Sequence, residues 1–543
     1  MQQPLDLTPL EWIDEVPYGR DYGGPVDVPH DPPEPPLPGE SGLWWLQRSK
    51  ERFPDKVAVV DGDNTLTYAE LFDRVCGLRR RVGEAVQAGG VVASLMHSGL
   101  AAACAVIAGG DLGRTSLHID ATAPIERQTV LIAESRADAV IVEKGAGVDL
   151  GFLPSSVRVI EFDVTQTSGV ASLEAQPASN GPARLAFTSG STGRPKGLAF
   201  GAEDADVWVD YVRSTHLNSN DVFVSLASVS RADVVGLSVG GTLHLVDIRR
   251  LGVAEGLRRI EAAGLTVLSF VPSVLRTFLN VPGAKEAFGK LRLLSLFGER
   301  ILASDIRLFR ATLPDQCKIS ISLASTEAGS IFSWYVRDEA IDGPMAPVGY
   351  LVRSKRVALL AEGGGPAAPG QVGELIVRGP MALGSWQNGE VTSARFLPDP
   401  DDPTSKIYVT GDLVRQRPDK LFEFVGRKDR QVKIRGLWAD LGEVENALMD
   451  VDNVADAVVI VRSAPGQPDA LAAFITLADP TIPFDRAAAR RTVRAATAEH
   501  MIPAEIRLLQ TIPRLANFKP DLQRLDAVLS EAPAKRAAAH AAG

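Results

Sequence analysis

The chain has 543 residues, enough for three or four folding units at about 150 residues each. Lys and Arg total 57 against 67 Asp and Glu, a formal charge of −10, with 45% hydrophobic and 23% charged residues. This excludes wholesale disorder and argues against a general nucleic-acid binder, although a local cationic site can still hold an anion. Three cysteines (Cys76, Cys104 and Cys317) are too few for a disulfide framework and lack metal-ligand spacing, which fits a reducing compartment. The first residues, MQQPLDLTPLEWIDE, are acidic where a secretory leader needs a basic region and an apolar core.

In chain order, residues 1–39 read as a proline-rich arm, its densest part being GPVDVPHDPPEPPLPG at 24–39. KVAVVD at 56–61 reads as a strand, and 68–82 has helical spacing with Thr67 as N-cap. The uncharged stretch 85–110 is long enough to span a membrane, but Gly89, Gly90, Ser94, His97, Ser98 and Gly99 interrupt it. It reads as a buried strand over 90–96 and a buried helix over 100–107, so a soluble cytoplasmic protein without membrane partners is expected. Short apolar strands follow at 139–142, 157–162, 222–226, 267–271 and 291–296, alternating with helical patterns. That alternation predicts an α/β fold of layered sheets with parallel strands. From about 345 to 428 the texture becomes β-rich, with short strands at 357–360, 373–378, 407–410 and 422–425 between Gly and Pro turns. After Arg430 come VKIRG, a helix at 442–449, the strands VADAVVIV and ALAAFITL, and a helix from Asp485. The expected organisation is a large N-terminal domain over 40–428, a small α+β domain over 429–530 and a flexible tail over 531–543.

The most informative string is FTSGSTGRPK at 187–196, which follows an apolar strand. It offers the hydroxyls of Thr188, Ser189, Ser191 and Thr192, the glycines Gly190 and Gly193, and the cation Lys196. Glycine lets backbone N–H groups approach a polyanion, hydroxyls add donors, and lysine adds a point charge. This is a phosphate cradle in composition, though not the usual P-loop, because Gly197 follows the lysine where Ser or Thr is required. A plain Ser/Thr/Gly surface loop has the same composition.

FTSGSTGRPKG resembles the phosphate loop of the adenylate-forming superfamily: acyl-CoA synthetases, nonribosomal peptide adenylation domains and luciferases. Other segments resemble that family in its own order. They are DKVAVVDGDNTLTYAEL, HIDATAPIERQTVLIAESRADAVI, TVLSFVPSVL, FGE at 297–299, Ser325-Thr326-Glu327, GELIVRGP, YVTGDL, GRKDRQVKIRG with LGEVE, and Asn517 with Lys519. The resemblance covers about 40–527, and the His118-to-Ile141 segment is closest in texture to nonribosomal peptide adenylation domains.

The resemblance implies ATP-dependent adenylation of a carboxylate, then transfer to a phosphopantetheine thiol by way of a mobile C-terminal domain. Thr188, Ser189, Gly190, Ser191, Thr192, Gly193 and Lys196 would cradle the phosphates, with Ser325 and Thr326 beside them. Glu327 would hold Mg²⁺, since a carboxylate beside a triphosphate repels it unless a hard cation lies between. Asp412, read as following a strand and a tight turn, would accept the ribose hydroxyls, and Arg427 would reach ribose and phosphate. Asp429 would be the hinge, Gly436 would line the thiol tunnel, and Lys519 would bridge the substrate carboxylate and the α-phosphate.

Departures from the family pattern bear on the substrate. Leu323 stands where the family usually has an aromatic residue on adenine, and Phe518 replaces the glycine before the C-terminal lysine. The segment 225–241 lacks the Phe-Asp pair of amino-acid-activating relatives, and Asp233 is its only acidic residue, so the α-amine stays open. Pocket candidates are Asp233, Leu296, Phe297, Gly298, Leu323 and Gly329, mostly small or apolar, which favours a modest apolar acid. No carrier-type serine context follows, so a free-standing enzyme meeting CoA or a separate carrier protein is expected. The alternatives are an acyl-CoA ligase using free CoA and a catalytically silent nucleotide-binding homologue. Gly109-Gly110-Asp111-Leu112-Gly113 has the wrong spacing for a dinucleotide fingerprint.

Overall fold

The computed structural model describes residues 10–14, 34, 41–170, 172–173, 181–189, 195–201, 205–337, 341, 343, 345–393, 395–402, 405–434, 437–462, 469–515 and 519–530. The tail expected over 531–543, and the arm over 1–39 apart from 10–14 and 34, lie outside them.

Among these residues the strands form sheets of nine, eight and five strands, with smaller sheets of two and three strands towards the C-terminus. One half of the eight-stranded sheet is parallel, formed by Thr115–Asp120, Val91–Met96, Ala139–Glu143 and, at the edge, Arg158–Phe162. Every residue of Val91–Met96 is buried, as a strand covered on both faces requires. Gly99 separates that strand from the buried helix Leu100–Ala108, so the uncharged stretch is two elements and not one. No described helix is long and apolar enough to cross a membrane. The helix Tyr68–Ala85 starts at a reciprocal cap, in which the Thr67 hydroxyl accepts from Glu70 N and the Glu70 carboxylate accepts from Thr67 N at 2.8 Å. Such a cap is worth about 1 kcal/mol.

The nine-stranded sheet carries Val222–Ser225, Val267–Phe270, Leu293–Leu296 and Lys318–Ser325 side by side and parallel. One face of these strands buries Leu268, Phe270, Leu294, Leu296, Ile319 and Ile321 in a single apolar core. Gly329–Val336 then returns antiparallel to Lys318–Ser325.

The β-rich part pairs Arg356–Leu360, Gly373–Gly379, Lys406–Gln416 and Phe422–Arg427 antiparallel. Here one expectation fails. The strand read as 407–410 runs on to Gln416 and passes straight through Thr410-Gly411-Asp412. Gly411 adopts φ +79°, and the register slips on both neighbouring strands, so the chain bulges within a strand and does not turn after one. Asp412 therefore sits mid-strand.

The C-terminal part has its own cores, one around Val444, Ala473 and Val493 and one around Phe474 and Leu525. Its first helix, Leu441–Met449, is capped by Asp440, which accepts from Gly442 N at 2.8 Å and Glu443 N at 3.3 Å.

His118 joins the two large sheets. Its Nδ1 lies 2.8 Å from Ser94 Oγ and its Nε2 lies 3.1 Å from Ser228 Oγ. A neutral imidazole, one donor and one acceptor, suits two hydroxyl partners. Burial holds this ring down to about 4, although Asp120 opposes it. The folded value lies below the unfolded value of about 6.5, so the unfolded chain takes up the proton first. The neutral ring's contribution is present above pH 6.5 and is lost as pH falls towards 4. At about 1.4 kcal/mol per pH unit, the gap is worth about 3 kcal/mol. Denaturant unfolding across that window is expected to show this loss in the wild type and to lose most of the slope in His118→Gln. An identical slope in both proteins would contradict the assignment.

Candidate active site

The cradle string begins on the strand Arg184–Ser189 and ends on Pro195–Phe200, which pair antiparallel with Thr188 opposite Lys196. Gly190, Ser191, Thr192 and Gly193 lie outside the described residues, and of Thr188 and Ser189 only the backbone is described. The glycine after Lys196 holds that lysine's strand close against its neighbour. A side chain at Gly197 would meet Trp386 Cβ and its carbonyl oxygen at 2.9 Å, so only glycine lets the two strands close at this point.

Glu327 occupies the turn between Lys318–Ser325 and Gly329–Val336. Ser325 Oγ accepts from Ala328 N at 3.0 Å and shapes that turn, so this hydroxyl acts on the loop's own backbone. Thr326 is exposed beside it. One short segment ties this turn to Lys196. Ala382 N donates to the Glu327 carbonyl at 2.8 Å, and Leu383 N donates to Ala199 O at 2.7 Å. The segment thus staples the nine-stranded sheet to the eight-stranded one.

The result is a concentration of charge. Burial pushes the Lys196 ammonium below its ordinary range; Glu327 opposes that shift, while Arg395 and Arg427 reinforce it. Burial likewise raises the Tyr408 hydroxyl, with Glu327 adding to the effect and a hydrogen bond from Arg395 opposing it. Asp412, 5% exposed, faces Arg427 across the ladder and accepts from its Nη1 at 2.6 Å. Arg427 Nη2 reaches the Thr410 carbonyl at 3.4 Å. Three cations and two carboxylates therefore share one neighbourhood, which is an environment for a polyanion accompanied by a cation. Arg395 and Tyr408 were not singled out by the sequence. They meet only because Phe396–Pro398 pairs with Lys406–Gln416, setting Phe396 opposite Tyr408.

Asp429, of which only the backbone is described, lies in the short turn Lys428–Arg430 between the strands Phe422–Arg427 and Gln431–Ile434. Its two neighbours are anchored on opposite sides. Lys428 Nζ binds Glu374 at 2.9 Å, and Arg430 Nη2 binds Glu445 at 2.7 Å, where Glu445 also accepts from Val459 N. Gly436 lies outside the described residues.

Lys519 is exposed and stands on a loop closed by Leu515 N donating to the Lys519 carbonyl at 2.8 Å. Asn517 and Phe518 lie outside the described residues. Arg514, at the base of this loop, binds Glu299 at 3.2 Å and Asp456 at 2.5 Å. Glu299 stands three residues beyond the end of the strand Leu293–Leu296 and also accepts from Ser273 N at 3.2 Å. The next residue, Arg300, reaches Asp440 at 3.5 Å and lies 5.4 Å over the Phe424 ring. Adjacent residues of opposite charge thus hold the C-terminal part against the end of the parallel sheet, on the side where Lys519 is carried.

The pocket candidates divide. Leu296 is fully buried in the apolar core on the far face of its strand, so the cleft face there belongs to Ser295. Leu323 packs with the core that includes Phe332 and Phe422, and Gly329 is the exposed first residue of the strand Gly329–Val336, at φ +67°. Phe297 is half-buried and Gly298 exposed just beyond the carboxyl end of the strand, with Gly298 at φ +84°. Asp233 accepts from Ser230 N and Oγ, both at 2.7 Å, and from Ser225; burial raises its carboxyl while these bonds oppose the rise.

Among the described residues no three His, Cys, Asp or Glu side chains form a metal cluster. Glu327 alone suits a Mg²⁺ site of the kind that takes one or two carboxylates and completes its shell with phosphate oxygens and water.

The chain matches the AMP-binding enzyme family over residues 46–386 and the AMP-binding enzyme C-terminal domain over 443–519. It is 29% identical over 503 residues to tyrocidine synthase 3 of Brevibacillus parabrevis, covering 89% of this chain but only 8% of that relative's length. Its fold superimposes on Klebsiella oxytoca NpsA in complex with 3-hydroxyanthranilyl-AMSN, with a TM-score of 0.74 at 21% identity over 91% of this chain and 100% of that one. It also superimposes on o-succinylbenzoate coenzyme A synthetase of Bacillus subtilis in complex with ATP and magnesium ion, with a TM-score of 0.70 at 20% identity over 88% and 98% of the two chains. With the layered sheets, the separate C-terminal cores and the charged site, these matches carry one conclusion: the chain belongs to the AMP-binding enzyme family.

Proposed function

We propose that this protein activates a small carboxylic acid with ATP and passes the acyl group to a phosphopantetheine thiol, on CoA or on a separate carrier protein. The observation that carries this reading is the convergence of Lys196, Glu327, Arg395, Arg427 and Asp412 on one neighbourhood. Joining a carboxylate to a triphosphate brings anions together, so the protein's task is positioning and electrostatic stabilisation more than covalent chemistry.

In the first step a carboxylate oxygen of the substrate attacks the α-phosphorus of ATP. The bond to the β-phosphate oxygen breaks, and pyrophosphate leaves with the electron pair. Lys196 and Arg395 offset the charge on the departing phosphates. Asp412 accepts ribose hydroxyls while Arg427 orients it, and Lys519, brought in on its loop, meets the charge that gathers on the α-phosphate. Mg²⁺ held on Glu327 would screen the triphosphate. In the second step a thiolate attacks the acyl carbonyl and AMP leaves as its phosphate monoester. The backbone at Asp429, between the anchored Lys428 and Arg430, is the place for the C-terminal part to turn between the steps.

The direct test is ATP–pyrophosphate exchange with a panel of amino acids, aryl acids and short aliphatic acids. Acid-dependent exchange is expected for at least one class. Tight nucleotide binding without exchange from any acid would replace this reading with that of a silent nucleotide-binding homologue.

A further inference from the structure

Along the central strands of the nine-stranded sheet, residues on one face change character towards the carboxyl ends. Val267 and Leu293 are buried in an apolar core, at 3% and 0% exposure. Two residues further on the same face stand Ser269 and Ser295, paired directly across the ladder. Phe223 pairs with Val267, and two residues on from it stands Ser225, so three hydroxyl residues form one lateral row over three parallel strands. Ser269 is exposed although its strand lies inside the sheet, between buried Leu268 and Phe270. Only an open cleft on that face allows this. Ligands of open parallel sheets bind at the carboxyl ends of the strands, and the adjoining strand Lys318–Ser325 leads into the turn of Glu327.

The polar groups at this cleft bond one another: Ser225 donates to Asp233, and the Tyr211 hydroxyl meets both Ser269 and Ser295. Tyr211, from the helix Ala205–Thr215, holds its hydroxyl 3.4 Å from Ser269 Oγ, near the limit of a hydrogen bond. Ser273, in the first turn of the helix that follows the Ser269 strand, is 7% exposed, and among the described residues its hydroxyl finds no partner. A purely apolar guest would cover the exposed Ser269 hydroxyl without replacing its solvent hydrogen bonds, which costs about 1–3 kcal/mol.

We infer that the acyl pocket is floored by Ser225, Ser269 and Ser295 under the Tyr211 hydroxyl, and that it takes a carboxylic acid bearing a hydroxyl or amino substituent in preference to an apolar acid. The inference rests on the adenylation reading above and replaces the apolar substrate expected from Leu296, whose side chain faces the core. A wall built for hydrogen bonding discriminates strongly against an isostere that lacks the polar group, by up to about 10⁴–10⁵, whereas an apolar pocket separates such a pair only about 10²-fold.

Isosteric pairs test it: threonine against valine, serine against α-aminobutyrate, and meta-hydroxybenzoate against meta-toluate, each in ATP–pyrophosphate exchange. The polar member of the accepted pair is expected to lead by at least about 10³-fold in kcat/KM. In Ser269→Ala/Ser295→Ala that lead is expected to shrink to within tenfold. Equal use of both members, or preference for the apolar one, by the wild-type enzyme overturns the inference while leaving adenylation intact. Exchange with no acid at all removes the adenylation reading and this inference with it.

Discussion

Lys519→Ala is expected to lower acid-dependent ATP–pyrophosphate exchange by about 10³-fold while thiol transfer from a supplied acyl adenylate stays within about threefold of wild type. The asymmetry arises from where charge develops. In the first step negative charge gathers on the α-phosphate, and an ammonium aimed there stabilises the transition state more than the ground state. In the second step that phosphate is already a leaving group. Lys519 is exposed, on a loop whose base is pinned through Arg514 to Glu299 and Asp456, so the substitution removes a charge without opening a core. Equal loss in both half-reactions would show that the lysine acts on the fold or on both steps.

Glu327→Gln is expected to cut adenylation by about 10²–10³ at saturating substrate and to raise the Mg²⁺ concentration needed for half-maximal rate. Glutamine keeps the size and the turn, which is held by Ser325 Oγ and by the Glu327 backbone carbonyl, so folding is expected to be unaffected. It also leaves Lys196 without its carboxylate neighbour and facing two arginines, so binding of a bare polyphosphate should tighten as the metal-dependent rate falls. Unchanged metal dependence with a normal rate would remove Glu327 from the site.

The parallel strands were legible because a strand covered on both faces is a continuous apolar run, as in Ala139–Glu143. The helix start at Thr67 was legible because its capping pair lies three residues apart in one string. The same property concealed the pocket. Leu293-Leu294-Ser295-Leu296 is apolar on both faces, and strand parity can be assigned only once one face meets a cleft. Leu296 therefore reads as a pocket residue, whereas it is buried in the apolar core. Asp412 reads as following a turn yet sits mid-strand, because Gly411 reads as a turn residue and here permits a bulge. Lys196, Glu327 and Arg427 each sit in a distinctive string, whereas Arg395 and Tyr408 acquire meaning only through an antiparallel pairing between separate strands. The hinge reading of Asp429 gains support from the divergent anchors of Lys428 and Arg430, a contrast that a run of charges does not display.

One nucleotide is expected to occupy the neighbourhood of Lys196, Glu327, Arg395, Asp412 and Arg427, and everything proposed for the chemistry depends on it. A crystal structure with α,β-methylene-ATP and Mg²⁺ measures this directly. Phosphate oxygens are predicted against Lys196 and Arg395, the metal on the Glu327 carboxylate and the ribose hydroxyls on Asp412. A nucleotide bound elsewhere, with these side chains unmoved and touching only one another, would contradict it.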